Sequence, residues 1–444
     1  MTKLKETPIE KVTKPIQKFI QNEKAGGIVL GISVIIALVF ANSPLSDEYH
    51  HFLEHKFGFQ FDGKTYLEYN LHHWINDGLM AIFFFVVGLE LKREIVGGEL
   101  SNPRKALLPI AAAIGGMLVP ALVYLAFNPE GEVHSGWGIP MATDIAFALG
   151  VLYLLGNKIP LALKVFLTAL AIVDDLGAVL VIAFFYTSDI SSVSLLIGFS
   201  FLMVMYLGNK LGVRSVLFYA FFGILGLWTA FLLSGVHATI AAVLAAFTIP
   251  ADVKIKENVF IARINKHLTR FKKSDANDKI PTLTNEQLHI LERMKSDTNK
   301  AIPPLQKLEH AMHPMVTFII IPIFALANAG VSVLDIDLEQ LFSTNVVLGV
   351  ALGLLAGKVV GVVGFTWLCA KLKIAPFPEG MNMKNLFGLS LLASIGFTMS
   401  LFVTSLAFTH EEYITQAKIG IFVASIIGGV LGYMILNKQP AQDS

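Results

Sequence analysis

The chain has 444 residues, of which 54% are hydrophobic and only 15% charged. Soluble domains carry roughly a quarter charged residues, so this balance disfavours an ordinary cytoplasmic enzyme. With 34 basic against 33 acidic residues the net charge is +1, no field to draw nucleic acid, and the single cysteine, Cys369, excludes an intrachain disulfide framework or a cysteine-built metal site.

Residues 1–25 are basic and polar, with Ile9, Val12, Ile16, Phe19 and Ile20 at helical spacing. They read as a cytoplasmic amphipathic segment at the membrane interface, with a frayed tail the alternative. A spanning helix takes about 20 apolar residues. Such stretches follow near 26–43, 72–95, 106–127, 137–155, 161–187, 192–209, 215–232, 234–249, 314–333, 346–370, 386–408 and 415–436. They are too long and too uniformly apolar for the strands of an outer-membrane barrel. The expectation is an all-α polytopic membrane protein of twelve transmembrane helices over 26–437, followed by a cytoplasmic tail at 438–444. Segment 44–71 forms an outside loop in which Asp62–Gly63 marks a hairpin turn. The polar loop 251–308, closed by Pro303–Pro304, is an insertion on the inner side.

Lysine and arginine set the orientation. Lys92, Arg93, Arg104, Lys105, Lys158, Lys210, Arg214, Lys371, Lys373 and Lys384 fall on the side that holds the basic N-terminus and the 251–308 loop. The opposite loops hold only Lys56 and Lys64, and one of them, 332–345, carries Asp335, Asp337 and Glu339. Both termini are therefore expected in the cytoplasm.

Away from the span ends few charges remain: Asp77, Asp144, the adjacent Asp174 and Asp175, and one deep cation, Lys358. Each costs about 2.5–3.5 kcal/mol at the bilayer centre. A structural ion pair accounts for any one of them, but four acids and one base cannot neutralise each other. The surplus calls for protons or a metal cation in a water-accessible cavity at mid-depth. Buried carboxylates hold protons unless a cation replaces them, and sodium and lithium, as hard cations, favour carboxylate, hydroxyl and carbonyl oxygen. Helical neighbours point about 100° apart, so one of Asp174 and Asp175 is expected to meet the ion while the other meets Lys358. Exchange then follows from competition for one site.

Backbone signals agree. Gly136–Trp137–Gly138–Ile139–Pro140 precedes Thr143 and Asp144, and Pro140 removes a helical hydrogen bond. Ser394–Ile395–Gly396–Phe397–Thr398 interrupts the eleventh stretch. Ordinary kinks explain either alone. Together they occupy the middle of two three-span triplets with opposed topology, and interrupted segments at matching places of inverted repeats point to a transporter's binding site.

These residues resemble the NhaA family of bacterial sodium/proton antiporters, which is also one of the folds behind that rule on interrupted segments. The resemblance is carried by 76–94 (NDGLMAIFFFVVGLELKRE), 142–150 (ATDIAFALG), 169–177 (ALAIVDDLG), 234–239 (SGVHAT), 308–314 (LEHAMHP), 324–330 (FALANAG) and 394–400 (SIGFTMS). It implies a secondary transporter of the bacterial inner membrane rather than an enzyme. Such a protein exports sodium or lithium for protons, electrogenically, by alternating access and under pH control, with no cofactor. It further implies twelve spans with crossed interruptions in spans four and eleven, and a homodimer paired partly through the 44–71 hairpin. By position, Asp174 and Asp175 become the central carboxylates, with sodium at Asp175, Asp174 and Thr143. Lys358 pairs with Asp174 in the proton-loaded state, and Thr143 and Asp144 sit at the crossing, where Asp144 and Lys358 offset half-helix dipoles. Glu90 and Glu309 match acids of a cytoplasmic pH sensor, and His237 a histidine linked with pH response, with small-residue packing an equal explanation for it. His310 and His313 beside Glu309 lack a third ligand, which favours pH-tuned electrostatics over a metal. The 251–308 loop is longer than the family's usual connection. A sodium-coupled symporter of an organic solute and an intramembrane aspartyl protease are the rival readings. The first lacks polar or aromatic groups for a solute, and the second is poorly served by two acids adjacent on one helix.

Overall fold

The computed structural model describes residues 23–61, 64–187, 190–274, 282–332, 344–378 and 380–438. The expected N-terminal amphipathic segment before residue 23, the Asp62–Gly63 turn, the acids at 335–339 and the tail beyond 438 lie outside the described residues. Helix occurs in each of the apolar stretches. Among the described residues, seven helices are long and apolar enough to cross a membrane, and nine if each of two sharply bent pairs counts as one crossing. The protein is thus an α-helical polytopic membrane protein with broken helices. It also carries one antiparallel ribbon, Lys56–Phe61 with Lys64–Asn70, in which Phe57 pairs with Tyr69 and Lys56 with Asn70.

One boundary moves. The helix expected to begin near 314 starts with Pro304–Met315 and runs on through a wider turn to Asn328. Pro304 stands in the first turn, where its missing N–H costs nothing and its fixed φ suits a helix. The last residues of the expected 251–308 loop therefore belong to this helix, and Glu309, His310 and His313 ride on it.

Two crossings position the interior. Helix Pro103–Phe127 packs along helix Lys358–Lys371 through glycines. A Cβ on Gly361 would lie 2.0 Å from the Gly115 carbonyl oxygen, and one on Gly357 would lie 2.7 Å from the Pro120 backbone. Small residues allow backbones this close, and packing of this kind replaces the missing hydrophobic drive between helices in lipid. The same closeness brings Lys358 against Gly116. The second crossing joins two broken helices. Glu132–Met141 is a 3₁₀ helix that gives way to extended backbone before Ile145–Leu154, and Met383–Ala393 and Phe397–Ala407 meet at a 46° bend.

The 251–303 segment is an antiparallel helical pair, Glu257–Lys273 and Asn285–Ala301. Thr284 and Gln287 form a reciprocal capping box at the start of the second helix, as Thr-x-x-Gln before an apolar residue predicts. Buried Asp297 clasps the pair, with Arg263 Nη1 on one carboxylate oxygen and His267 Nε2 on the other, each at 3.2 Å. Burial works to raise the Asp297 pKa, but the hydrogen bonds from His267 and Arg263 and the Arg263 charge outweigh it and hold the carboxyl below the usual range. Since the folded value lies below the unfolded one, the contribution is present at neutral pH and is lost as pH falls through the folded value, below about 4. Asp297→Asn is therefore expected to speed amide hydrogen exchange across 257–273 at pH 7, a difference that closes in strong acid. Equal exchange at pH 7 would show the clasp to be energetically idle.

Candidate ion-exchange site

Helix Leu161–Phe185 carries Asp174 and Asp175. Their side chains diverge, as neighbours on a helix must. Asp174 Oδ2 pairs with the Lys358 amine and lies 2.6 Å from Thr143 Oγ1. Lys358 Nζ also donates to the Met141 carbonyl, at the C-terminus of the 3₁₀ segment. Thr143 Oγ1 is 2.8 Å from the Ala393 carbonyl, which closes the half-helix 383–393. The single Thr143 proton serves one of these two acceptors at a time. Among the described residues, both Asp175 carboxylate oxygens and Asp174 Oδ1 are buried with no hydrogen-bond partner. An unpartnered buried acceptor is costly, and three together on adjacent carboxylates make a donor set suited to a proton or a hard cation.

Asp144 faces the other way. It caps the 145–154 helix by accepting from the Phe147 N–H at 3.0 Å, and it takes the Thr398 N–H at 3.0 Å and the Thr398 hydroxyl at 2.5 Å. Its own N–H donates to Ile395 O at 2.7 Å. One carboxylate thus serves the N-termini of two half-helices, where helix dipoles favour negative charge, while the Lys358 amine serves a C-terminus. The local sequence explains the approach. Pro140 has no N–H to donate, and at Gly396 even a methyl group would lie 3.1 Å from the Ala142 carbonyl and 2.8 Å from Leu354. Ser400 Oγ, bonded to Ile139 O at 2.8 Å, closes the crossing.

The structure corrects two expectations. Asp77 does not join the cluster; it sits 3.3 Å from His73, its neighbour one helical turn earlier. Lys358 is, as expected, the one buried lysine among the described residues; Lys418, near the start of helix Glu411–Asn437, is partly exposed and its amine reaches the Gly330 carbonyl at 3.1 Å. The cavity expected to be open to water is closed here, with Asp144, Asp174, Asp175 and Lys358 no more than 1% exposed. Small residues let the helices shut over the acids, so water reaches them only when the helices move. The acids are nevertheless not bonded to one another.

Of the expected pH-sensing residues, Glu90 and Glu309 come together and His237 does not. Arg93 bonds Glu309 and also holds Glu94 Oε1 at 2.9 Å, and Glu90 lies within reach of the charges on both Glu309 and Arg93. His237 Nε2 is instead 2.8 Å from the Tyr186 carbonyl. Arg93 and Thr398 are the residues missed from the sequence. Arg93 reads as one more charge at a span end, and Thr398 as a small residue in a broken helix. A hydroxyl just past Gly396, in the first turn of a half-helix, was the available signal.

A family profile described as Na+/H+ antiporter 1 matches residues 17–436. The chain is 50% identical over 430 residues to the Na(+)/H(+) antiporter NhaA of Oleidesulfovibrio alaskensis, covering 97% of this chain and 95% of that protein. It is 47% identical over 441 residues to the Na(+)/H(+) antiporter NhaA 1 of Saccharophagus degradans, covering 99% and 94%. Against the Na(+)/H(+) antiporter NhaA of Wolinella succinogenes it is 47% identical over 424 residues, covering 94% and 92%.

Proposed function

The chain belongs to the NhaA family of Na+/H+ antiporters, and from that premise we propose how its buried charges exchange the two ions. It is a secondary transporter and not an enzyme, a multi-pass protein of the bacterial inner membrane that exports sodium or lithium in exchange for protons, electrogenically. In our reading Asp175 is the position for which ion and proton compete. One observation carries this: Asp174 is already answered by Lys358 and Thr143, whereas neither oxygen of its neighbour has a partner among the described residues. A proton neutralises Asp175 in the closed site. Sodium, once water reaches the acids, binds Asp175 and draws on Asp174 and the Thr143 hydroxyl, which loosens Asp174 from Lys358 and disposes that pair to release a further proton. More than one proton against one monovalent cation makes the cycle electrogenic.

Asp144 and Lys358 keep the two broken helices in register by offsetting their dipole ends, so the crossing can tilt as a unit in alternating access. We read these broken helices as spans four and eleven of twelve, in inverted repeats with both termini cytoplasmic. The helix found in each apolar stretch and the lysine and arginine asymmetry support this. Glu309, bonded to Arg93, and Glu90, within reach of both their charges, form the pH-responsive group at the inner face, with His237 acting separately. The 44–71 ribbon is the expected contact of a homodimer.

Current measured on a solid-supported membrane loaded with proteoliposomes tests the whole reading. Sodium and lithium jumps are expected to give transient currents that change with pH. No current with either ion at any pH between 6 and 9 would overturn it.

A further inference from the structure

We propose that the cavity at the foot of the 257–301 helical pair binds an anion carrying two or more phosphate groups, held by Lys254, Lys295, Lys300 and Lys307. The cavity measures about 570 Å³, within the range of small-molecule clefts and far roomier than one phosphate needs. Those four lysines line it together with Arg214 and Glu292. Arg214 is committed to Asp252, with its carboxylate at 2.7 Å and its carbonyl at 2.8 Å. Glu292 faces His289 at 3.4 Å. None of the four lysine amines has an ion-pair partner within 4.0 Å among the described residues. Like charges gathered without counter-charge repel, and here the backbone keeps them together. The N–H groups of Lys254 and Ile255 donate to Lys300 O at 3.0 and 3.3 Å, and Leu305 N–H donates to Pro250 O at 3.1 Å. Lys307 sits in the first turn of helix 304–315, whose dipole adds positive potential at that end. Lysine binds phosphate as a point charge, and several around one roomy cleft match a ligand with several negative charges better than a lone carboxylate. Either a soluble diphosphate or a lipid headgroup with two phosphates supplies that chemistry.

The site has a consequence that rests on the antiport reading. Lys307 and Glu309 ride on one helix, and Glu309 bonds Arg93. A bound anion steadies that helix start and is expected to shift the pH profile of transport.

Equilibrium dialysis of the purified full-length chain against radiolabelled pyrophosphate tests the soluble source. Saturable binding is expected, weakened roughly tenfold or more in Lys295→Gln/Lys300→Gln and by raising salt. In parallel, thermal stabilisation by cardiolipin over phosphatidylcholine in mixed micelles tests the lipid source. A dependence on the two lysines with either probe supports the site and identifies which source fills it. Indistinguishable wild-type and variant behaviour with both probes overturns it. Sodium-driven current on the same preparations separates the two readings. Intact current with no lysine-dependent binding removes only the anion site, whereas lysine-dependent binding without current removes only the antiport reading.

Discussion

Everted membrane vesicles carrying Asp175→Asn are expected to lose sodium-driven dissipation of a preformed pH gradient, down to the level of vesicles without the protein. The protein itself should remain in the membrane in normal amount. Both expectations come from the same observation. Asp175 makes no hydrogen bond or ion pair among the described residues, so its charge contributes nothing to holding the helices together. Asparagine keeps the volume and one carbonyl oxygen but can neither take up a proton nor neutralise a cation. Asp174→Asn is also expected to abolish exchange, but with an added cost, because it removes the one carboxylate paired with the buried Lys358 amine and leaves that charge to neutral oxygens. Heat-inactivation profiles of the two variants should therefore differ, Asp174→Asn being the less stable. A double Asp174→Asn/Asp175→Asn variant that exchanged at a normal rate would end the competition mechanism.

Lys358→Ala is expected to lower stability by about 3–5 kcal/mol, the usual cost of removing one partner from a buried ion pair. Lys358 is wholly buried, its amine answers Asp174, and its stem packs against Gly116. Deleting it leaves the Asp174 carboxylate with the Thr143 hydroxyl alone, in a site that water does not reach. Pairing the substitution with Asp174→Asn should return part of the loss, since the uncompensated charge goes with it. The coupling expected between contacting residues is about 0.5–3 kcal/mol. Thermal unfolding of detergent-solubilised single and double variants measures this directly. A neutral Lys358→Ala, in both stability and pH profile, would remove the pairing from the mechanism.

Local rules went far in this chain. Helical neighbours diverge by about 100°, which is why Asp174 and Asp175 could not both meet Lys358. Pro140 and the Ser394–Gly396 run marked where the backbone breaks, and the helix is interrupted at both, with a 46° bend at the second. What failed to show was partnership across the chain. Asp77 looks as membrane-embedded as Asp144, yet one ends beside a histidine four residues away and the other beside Thr398, 254 residues away. No periodicity separates those outcomes.

Residue order by itself determined the class of the molecule, the places where helices begin and break, and the shortage of positive charge among its buried acids. Those depend on hydrophobicity, on proline and glycine, and on counting, all of which act within a few residues or not through space at all. Helical spacing left open which acid meets Lys358, and the family resemblance alone pointed to Asp174; tertiary structure supplied that contact, joined Asp144 to two half-helices, and brought three lysines of a polar insertion and one of the next helix to a single cavity. The first two depend on how closely helices approach at Gly115, Gly361 and Gly396, across segments far apart in the chain, and the third on the backbone bonds of Lys254 and Ile255 to Lys300 and of Leu305 to Pro250.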